Sequence, residues 1–541
     1  MPNTLLIRGA MVYDGTGSAP VQRDIAVAGD RIVDAGAVGE LGEHQTIDAT
    51  GLSLAPGFIN PLSHAYDSLV TDPHGTSDLL QGVTTQVFGE GLSLGPMTPQ
   101  LAELIGLDSD SPQALDCRLS EALTGYQRRG VSQNVASFVG AHNLRMLAAG
   151  SQDRQLSATE LDTVGAVLAE ELEDGALGLG SALIYPPGSF ADTAELVHLA
   201  TVVGRHGGLY ISHIRNESAF LLDAISELID IGSRGQVRCE VHHLKAAGAA
   251  NWQLMPQAIK LIQQARDSGQ PISANMYPYS AAETSLSAII PPQFHEGGAP
   301  RLLARLADPA IREQIEQAIL ETGEKSYEDL YAHSGGAGGV VLLDPAALPD
   351  GLTGAGLSLA EVAERLRLSP IACALELIQR NPQTAAAYYC MTEENVSLGL
   401  AQPWVSICSD ADTGSLADQT AATSTHPRSH GSFARFLGRY VRDQQLVPLT
   451  EAIRRMTSLP ADNLKLADRG RIAEGAFADL VIFDPLTVGD LATFAEPRRF
   501  ATGVRDVIVN GELALRAGVP TAQLPGRALR RATAGIAQGS R

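Results

Sequence analysis

Two histidines and an aspartate each stand at the end of a short apolar run, and the three runs are far apart in the chain. His213 and His243 follow runs that end in LYIS and CEVH, and Asp410 follows WVSICS. In a parallel α/β barrel such strand ends gather at one face. Two imidazoles can hold a divalent metal ion there, and a carboxylate can take a proton from water that the ion activates. The residue types and spacing therefore predict metal-assisted hydrolysis.

A third metal ligand is expected at Glu90, which follows another run that ends abruptly in glycine, GVTTQVFG. His213, His243 and Glu90 would give Zn²⁺ two nitrogens and one oxygen, with one position open for water. Asp410 would accept the proton of that water and deliver it to a leaving amine. The alternative for Glu90 is that it only caps a turn. The neighbouring His242 is a weaker candidate than His243, because strand alternation sends only one of them into the site and His243 lies nearer the strand end.

The elements that must position these residues are short β-rich runs that alternate with amphipathic helices. The helical i, i+3, i+4, i+7 spacing of apolar residues occurs at Leu221, Ala224, Ile225 and Leu228, at Ala258, Leu261, Ile262 and Ala265, and at Phe433, Phe436, Leu437 and Tyr440. We therefore predict an α/β fold, a (β/α)₈ TIM-like barrel over residues 56–464. Residues 293–345 interrupt the alternation with a charged helical piece and a glycine-rich run. This segment is predicted to be an insertion that could act as a lid.

Both ends of the chain look different from the middle, because they consist of short strands separated by Gly and Asn turns. This pattern of short strands and turns occurs over residues 1–55 and again over residues 465–541. We predict that the two ends meet in one small composite β-sandwich. The alternative is a pair of unrelated β caps.

The charge balance argues against nucleic acid and anionic membrane surfaces as partners. The chain of 541 residues carries 39 Lys+Arg against 61 Asp+Glu, a formal net charge of −22, whereas phosphate binding needs a basic field. The five cysteines show no C-x-x-C spacing, which is typical of a reduced protein rather than a disulfide framework. No signal peptide or apolar run long enough to span a bilayer is apparent, so we expect a cytoplasmic protein. The sequence does not indicate an oligomeric state.

Several further strings occur in a fixed order along nearly the whole chain. They are LAPGFI at 54–59, GVTT at 82–85, GALGL at 175–179, HIRNE at 213–217, YPY at 277–279, SD at 409–410, HPRSHGSF at 426–433 and LGRY at 437–440. Through this ordered set the chain resembles the amidohydrolase superfamily and, within it, the D-aminoacylase (N-acyl-D-amino-acid deacylase) family. The resemblance implies a metal-bearing barrel, a β-sandwich made from both chain ends, and hydrolysis of the amide of N-acyl-D-amino acids.

The resemblance also implies roles for particular residues. It implies zinc ligands at His213 and His243, a catalytic aspartate at Asp410, and recognition of the substrate carboxylate by Arg428. A guanidinium offers a planar fork that suits this carboxylate, although an arginine at a helix start can also simply cap the surface.

The chain departs from the family pattern at two places. The family has His-x-His after Pro-Gly-Phe-Ile-Asp, whereas this chain has Leu62 and His64 after Asn60. The family's bridging cysteine is also absent, and Glu90 stands in that region. Since leucine cannot ligate a metal, we expect one zinc ion and the loss of a second site.

Three tyrosines at strand ends could line a substrate pocket or simply pack. They are Tyr185, Tyr277 and Tyr279.

Three functions are therefore open. The first is a zinc amidohydrolase that cleaves an N-acyl-D-amino acid, a small-molecule substrate with a carboxylate, into a carboxylate and a D-amino acid. The second uses the same parts on a cyclic amide, an imide or a D-dipeptide. The third is a metal-free binding relative that kept the fold and lost the chemistry.

Overall fold

Strands followed by helices make up most of the chain in the computed structural model. The structure describes residues 4–34, 44–107, 116–323, 325–343, 356–417 and 424–532. The strands are β1 (Thr4–Val12), β2 (Val21–Ala28), β3 (Arg31–Val33), β4 (Gln45–Asp48), β5 (Ser53–Pro56), β6 (Phe58–Asn60), β7 (Val83–Phe88), β8 (Asn134–Ser137), β9 (Val139–Gly140), β10 (Gly178–Ala182), β11 (Leu209–His213), β12 (Arg238–Val241), β13 (Ile272–Met276), β14 (Ala282–Ser285), β15 (Val340–Leu342), β16 (Ala385–Tyr388), β17 (Val405–Ile407), β18 (Leu480–Phe483), β19 (Val504–Val509), β20 (Glu512–Arg516) and β21 (Val519–Pro520).

The α-helices lie mainly between these strands, and a π-helical turn over Phe436–Asp443 continues one of them. They are α1 (Ser68–Thr71), α2 (Thr76–Leu79), α3 (Pro99–Ile105), α4 (Leu119–Arg129), α5 (Ala141–Ala149), α6 (Ala158–Glu173), α7 (Thr193–Arg205), α8 (Leu221–Gly235), α9 (Met255–Asp267), α10 (Gly298–Ala307), α11 (Pro309–Leu320), α12 (Leu330–His333), α13 (Leu359–Leu366), α14 (Pro370–Arg380), α15 (Glu393–Leu400), α16 (Arg428–Arg435), α17 (Leu449–Met456) and α18 (Ser458–Leu464).

Two parallel sheets occupy the middle of the chain. One has the order β6-β7-β8, and the other has the order β17-β13-β12-β11-β10-β9. Helices α7, α8 and α9 each connect one strand of the larger sheet to the next, which is the βα alternation expected from the sequence. The predicted apolar face of α8 is buried along its length. These findings confirm the α/β class.

Strands from both ends of the chain pair in one nine-stranded sheet, in the order β21-β20-β19-β18-β5-β1-β2-β3 with β4 beside β1. The junction is the antiparallel pair β5–β18, in which Ala55 faces Val481. One side of the sheet buries a separate apolar cluster that includes Leu5, Ile7 and Ile482. That these ends form a β-sandwich stays a prediction, and its residues 1–3, 35–43 and 533–541 lie outside the described residues.

A third unit leaves the parallel sheets between β13 and β17. It contains the antiparallel sheet β14-β16-β15 and has its own buried cluster, built largely from helices α10 to α14. The predicted insertion at 293–345 falls inside this unit, although residues 324, 344 and 345 lie outside the described part of the chain. Its action as a lid stays a prediction.

None of the described helices is long and apolar enough to cross a membrane. All five cysteines are free thiols.

A buried ion pair fastens the terminal sheet to the parallel strands. Arg469 and Asp479 pair at 4% and 5% side-chain exposure, and Asp479 also accepts hydrogen bonds from Asn134 Nδ2 and from the backbone of Asn510. Asn510 in turn donates to Asn134 on β8 at 2.7 Å. This network joins strand β8 to the C-terminal part of the terminal sheet.

We expect Asp479→Ala to lower the free energy of unfolding by about 3–5 kcal/mol, because it leaves the Arg469 guanidinium buried without its partner. Denaturant unfolding of the purified protein measures this loss. Asp230→Ala is the matched control, since Asp230 is exposed on helix α8 in its pair with Arg234 and the substitution should change the free energy by less than about 1 kcal/mol. Equal effects of the two substitutions would contradict the role of the buried pair.

Candidate active site

The residues that the sequence singles out lie at the carboxyl ends of four parallel strands. His213 ends β11, His243 follows β12, Asp410 follows β17, and Glu90 follows β7. All four side chains face a cavity of about 290 Å³.

The backbone at two of these positions has a conformation that most side chains avoid. His243 has φ +32° and Asp410 has φ +52°, both in the left-handed region. The His243 N–H donates to Asn275 Oδ1 at 2.8 Å, and the Asp410 N–H donates to the Leu62 carbonyl at 2.9 Å. Such conformations persist only where surrounding bonds hold them, and they cluster at functional sites. Here they turn both side chains off their strands into the cavity.

The three predicted metal ligands converge on one point. Glu90 Oε1 lies 3.0 Å from His213 Nδ1 and 2.9 Å from His243 Nε2. One ligand atom from each residue lies within 4.8 Å of the other two. The two imidazole rings are 4.4 Å apart between centroids and nearly perpendicular. The structure thus brings all three together, with Glu90 facing both rings rather than capping a turn.

The electrostatics of this group favour a cation at its centre. Burial opposes the ionisation of Glu90, but the charge of His243 and hydrogen bonds from His213 and His243 hold the pKa of this carboxyl well below its usual range. Burial and Lys245 disfavour the charged form of His243, yet Asp410, Glu90 and Glu217 together raise its pKa to about 9. The carboxylates therefore outweigh desolvation. Two imidazoles and a carboxylate in a negative field are a donor set that fits Zn²⁺.

A second group of three lies directly beside the first and shares Glu90. His64 Nε2 is 3.2 Å from Glu90 Oε2 and 3.1 Å from Asp410 Oδ1, and these three residues could also hold an ion. Burial lowers the pKa of His64, but its bonds to Asp410 and Glu90 raise it to about 10. Leu62 is buried among Tyr277, Tyr279 and Cys408 instead. The prediction of one metal ion stays a prediction.

Two charged residues behind the histidines carry no role in the sequence analysis. Glu217 Oε1 lies 2.6 Å from Lys245 Nζ and 3.1 Å from His243 Nδ1, and Glu217 Oε2 lies 3.5 Å from His213 Nε2. Lys245 Nζ is also 2.7 Å from His243 Nδ1. One buried carboxylate therefore faces both imidazoles on the side away from Glu90. The only sequence signal is that both residues stand within four positions of a predicted ligand.

His242 takes no part in this group. Its Nδ1 faces Asn275 at 3.2 Å, and its Nε2 is buried without a hydrogen-bond partner. Burial lowers the pKa of His242 to about 3, so its ring is neutral. The geometry agrees with the choice of His243.

The Arg428 guanidinium is already paired with carboxylates in this structure. It is buried, its Nη1 donates to Asp410 Oδ2 at 2.6 Å, and its Nε lies 3.4 Å from Glu283 Oε2. Burial opposes the ionisation of Asp410, but Arg428, His243 and His64 lower its pKa to about 2. A substrate carboxylate that reached Arg428 would have to compete with Asp410 and Glu283.

The three predicted tyrosines are separated. Tyr185 and Tyr277 line the cavity, and the Tyr277 hydroxyl is buried without a hydrogen-bond partner. The Arg428 guanidinium lies 4.9 Å from the centre of the Tyr277 ring. Neither Tyr279 nor Arg428 is among the residues that line this cavity, and the role of Tyr279 at the substrate stays a prediction. Its hydroxyl donates to the Pro427 carbonyl at 3.3 Å, so it packs behind the site.

Comparisons with known proteins agree with this geometry. The model of the amidohydrolase family matches residues 45–514. The chain is 32% identical to an N-acyl-D-glutamate deacylase of Alcaligenes xylosoxydans xylosoxydans over 97% of this chain and 96% of the relative. It is also 32% identical to a D-aminoacylase of the same organism, over 98% of this chain and 99% of the relative.

A solved structure resembles the whole chain. It is the N-acyl-D-glutamate deacylase of Bordetella bronchiseptica, complexed with zinc and a phosphonate that mimics the tetrahedral reaction intermediate. The TM-score is 0.77 at 30% identity, and the match covers 97% of this chain and 99% of the other.

We expect purified protein dialysed against a weak chelator to retain zinc, and His213→Ala and His243→Ala each to lose it, because each removes one of three converging ligands. Elemental analysis measures the metal content. His242→Ala is the matched control, since its ring is also buried but its Nδ1 contacts Asn275 rather than Glu90. Loss of zinc in His242→Ala with retention in His243→Ala would contradict the assignment.

We expect Glu217→Gln to weaken zinc binding by about 10- to 100-fold, because the neutral amide no longer orients and polarises the two imidazoles. Competition with a chromophoric chelator measures the affinity. Exposed Glu296→Gln should leave the affinity unchanged, and an equal effect of both substitutions would argue against a role for Glu217.

Proposed function

Because this chain belongs to the amidohydrolase family, we propose that it hydrolyses the linear amide of an N-acyl-D-amino acid to a carboxylate and a D-amino acid. The observation that carries the proposal is the convergence of His213, His243 and Glu90 at strand ends, with Asp410 on the same cavity. The full-length relatives act on substrates of this class according to their names.

The proposed architecture is a (β/α)₈ barrel with a small β-sandwich from the two chain ends. In support, only one residue separates β8 from β9, so these two count as one strand segment. With them counted so, the 3-stranded and the 6-stranded parallel sheets together contain eight strand segments. At the outer edges, Asn60 Nδ2 at the end of β6 donates to Ser409 Oγ beyond β17 at 2.7 Å. The Ser409 N–H donates back to Asn60 Oδ1 at 3.0 Å. These bonds connect the first strand to the last.

The proposed metal centre is one Zn²⁺ ion held by His213, His243 and Glu90. When bound, such an ion supplies Lewis acid chemistry, polarising an amide carbonyl and activating water at neutral pH. Glu217 faces both rings from the side away from Glu90, and Lys245 contacts Glu217 and the His243 ring. No second ion is assigned to the neighbouring group, because Leu62 replaces a histidine of the family pattern. There His64 contacts Asp410 and is assigned to proton handling with it.

Asp410 is the proposed proton shuttle. Its Oδ2 is bonded to Arg428, and its Oδ1 faces His64 and the cavity. With its pKa lowered to about 2, this carboxyl is ionised at neutral pH and can accept a proton from the attacking water at Oδ1. The same oxygen then protonates the amine as the carbon–nitrogen bond breaks.

Arg428 is the proposed partner of the substrate carboxylate. When the guanidinium turns from Asp410 to the substrate, Asp410 loses the interaction that lowers its pKa most. Its basicity therefore rises when the substrate is in place. The Tyr277 ring packs against the Arg428 guanidinium, 4.9 Å from the ring centre. The Tyr185 ring packs against His213, with 5.2 Å between the ring centroids.

We expect Asp410→Asn to lower kcat on N-acetyl-D-methionine by about 10²- to 10⁴-fold, the range for a lost general base and acid. Steady-state kinetics of zinc-loaded protein measure the change, and zinc content should be the same as in the wild type. Exposed Asp443→Asn is the control and should retain full activity.

The same assay separates the other candidate reactions. N-acetyl-L-methionine, a hydantoin and a D-dipeptide should be turned over at least about 100-fold more slowly than the N-acetyl-D-amino acid. An Asp410→Asn enzyme as active as the wild type would contradict the mechanism, and faster turnover of the hydantoin or the dipeptide would replace the substrate class.

A further inference from the structure

The active cavity borders a second cavity of about 170 Å³ on the side of the inserted unit. The residues that line both cavities are Ile184, Tyr185, Pro186, Thr284 and Leu330. Beyond this border the second cavity is lined partly by apolar side chains such as Ile290. Together they provide room for groups attached to both sides of an amide bond at the metal centre.

The charged side chains that line these two neighbouring cavities are unbalanced in sign. Among the described residues that line either cavity, Lys245 is the only lysine or arginine, and it is already 2.6 Å from Glu217. His64 lies between two carboxylates, and His295 is neutral because burial lowers its pKa to about 4. Every lysine or arginine in the described lining is therefore already paired, and none is left to bind a second carboxylate of the substrate.

Two carboxylates of the protein line these cavities on the side of the inserted unit. Glu283 lines the active cavity and lies 3.4 Å from Arg428, on the opposite side of the guanidinium from Asp410. Glu328 lines the second cavity, accepts from the Glu217 N–H at 2.8 Å and faces His333 Nδ1 at 2.8 Å. An anionic substrate side chain next to Arg428 would meet Glu283, and one that reached the second cavity would meet Glu328.

We propose that Glu283 is a specificity-determining residue that makes this enzyme reject N-acyl-D-amino acids with an acidic side chain and accept those with a neutral one. The proposal rests on the proposed deacylase function. The α-carboxylate of the substrate takes Arg428, and a second carboxylate then lies beside Glu283 without a counter-charge. Like charges brought together in a desolvated site are strongly unfavourable. The N-acyl-D-glutamate deacylase and the D-aminoacylase named above are each 32% identical to this chain. Sequence identity alone therefore does not predict whether the chain prefers an acidic or a neutral side chain.

The test compares N-acetyl-D-glutamine with N-acetyl-D-glutamate, which have nearly the same shape and differ in one charge. For the zinc-loaded wild type, we expect kcat/KM to be on the order of 10²-fold higher for the glutamine derivative. In Glu283→Gln this ratio should fall at least tenfold, through faster turnover of the glutamate derivative. Glu296→Gln, an exposed carboxylate of the same unit, should leave the ratio unchanged.

Equal turnover of the two substrates by the wild type, or a preference for the glutamate derivative, overturns the specificity proposal while the deacylase function stands. A ratio that stays unchanged in Glu283→Gln overturns the role of that residue. If Glu283→Gln does not fold, the wild-type ratio still decides the preference. Absence of turnover for both derivatives and for N-acetyl-D-methionine overturns the proposed function itself, and this proposal with it.

Discussion

The site depends on one buried carboxylate, Glu90, which lies between two imidazoles at 3.0 and 2.9 Å. A carboxylate taken out of water is costly unless positive charge or hydrogen bonds compensate for it. His213 and His243 provide that compensation, and in return the negative field of Glu90 keeps both rings pointing inward. The same requirement explains why the surrounding groups alternate in sign: Glu217 faces the rings from behind, and Lys245 faces Glu217. A divalent cation satisfies the same arrangement.

The fold positions this carboxylate and its partners by ending parallel strands at one edge. β7, β11, β12 and β17 each deliver one functional residue within three positions of the strand end. Left-handed backbone at His243 and Asp410 turns these side chains into the cavity. The backbone N–H groups of these two residues donate hydrogen bonds to Asn275 Oδ1 and to the Leu62 carbonyl, which holds the backbone in place. The rigid scaffold and the strained turns together give the catalytic groups a fixed geometry before substrate arrives.

Sequence reasoning identified what depends on local pattern. The α/β class followed from periodicity, and Glu90, His213, His243 and Asp410 stood out because each is a polar residue that closes an apolar run. Pairings across the fold could not be read in this way. Arg428 contacts Glu283, 145 residues away and in the inserted unit, so nothing near Arg428 in the chain indicated that it is held on both sides.

The roles of other residues could not be read from the sequence for related reasons. Glu217 and Lys245 stood inside recognised strings, but only the three-dimensional contact between them shows that they support the rings. For Tyr279 the sequence left open whether the side chain lines the pocket or packs, and the contact of its hydroxyl with the Pro427 carbonyl appears only in the fold. A pattern of strand ends locates the edge of a sheet, whereas the direction of each side chain depends on the local turn.

Zinc X-ray absorption spectroscopy of the loaded wild-type protein tests the central claim most directly, because it reports the identity of the atoms around the metal. The account predicts a first shell of nitrogen and oxygen at about 2.0–2.1 Å with two imidazole signatures and no sulfur, and loss of this pattern in Glu90→Ala. A sulfur scatterer at about 2.3 Å, or a shell without imidazole, would contradict the assignment of His213, His243 and Glu90 as the ligands.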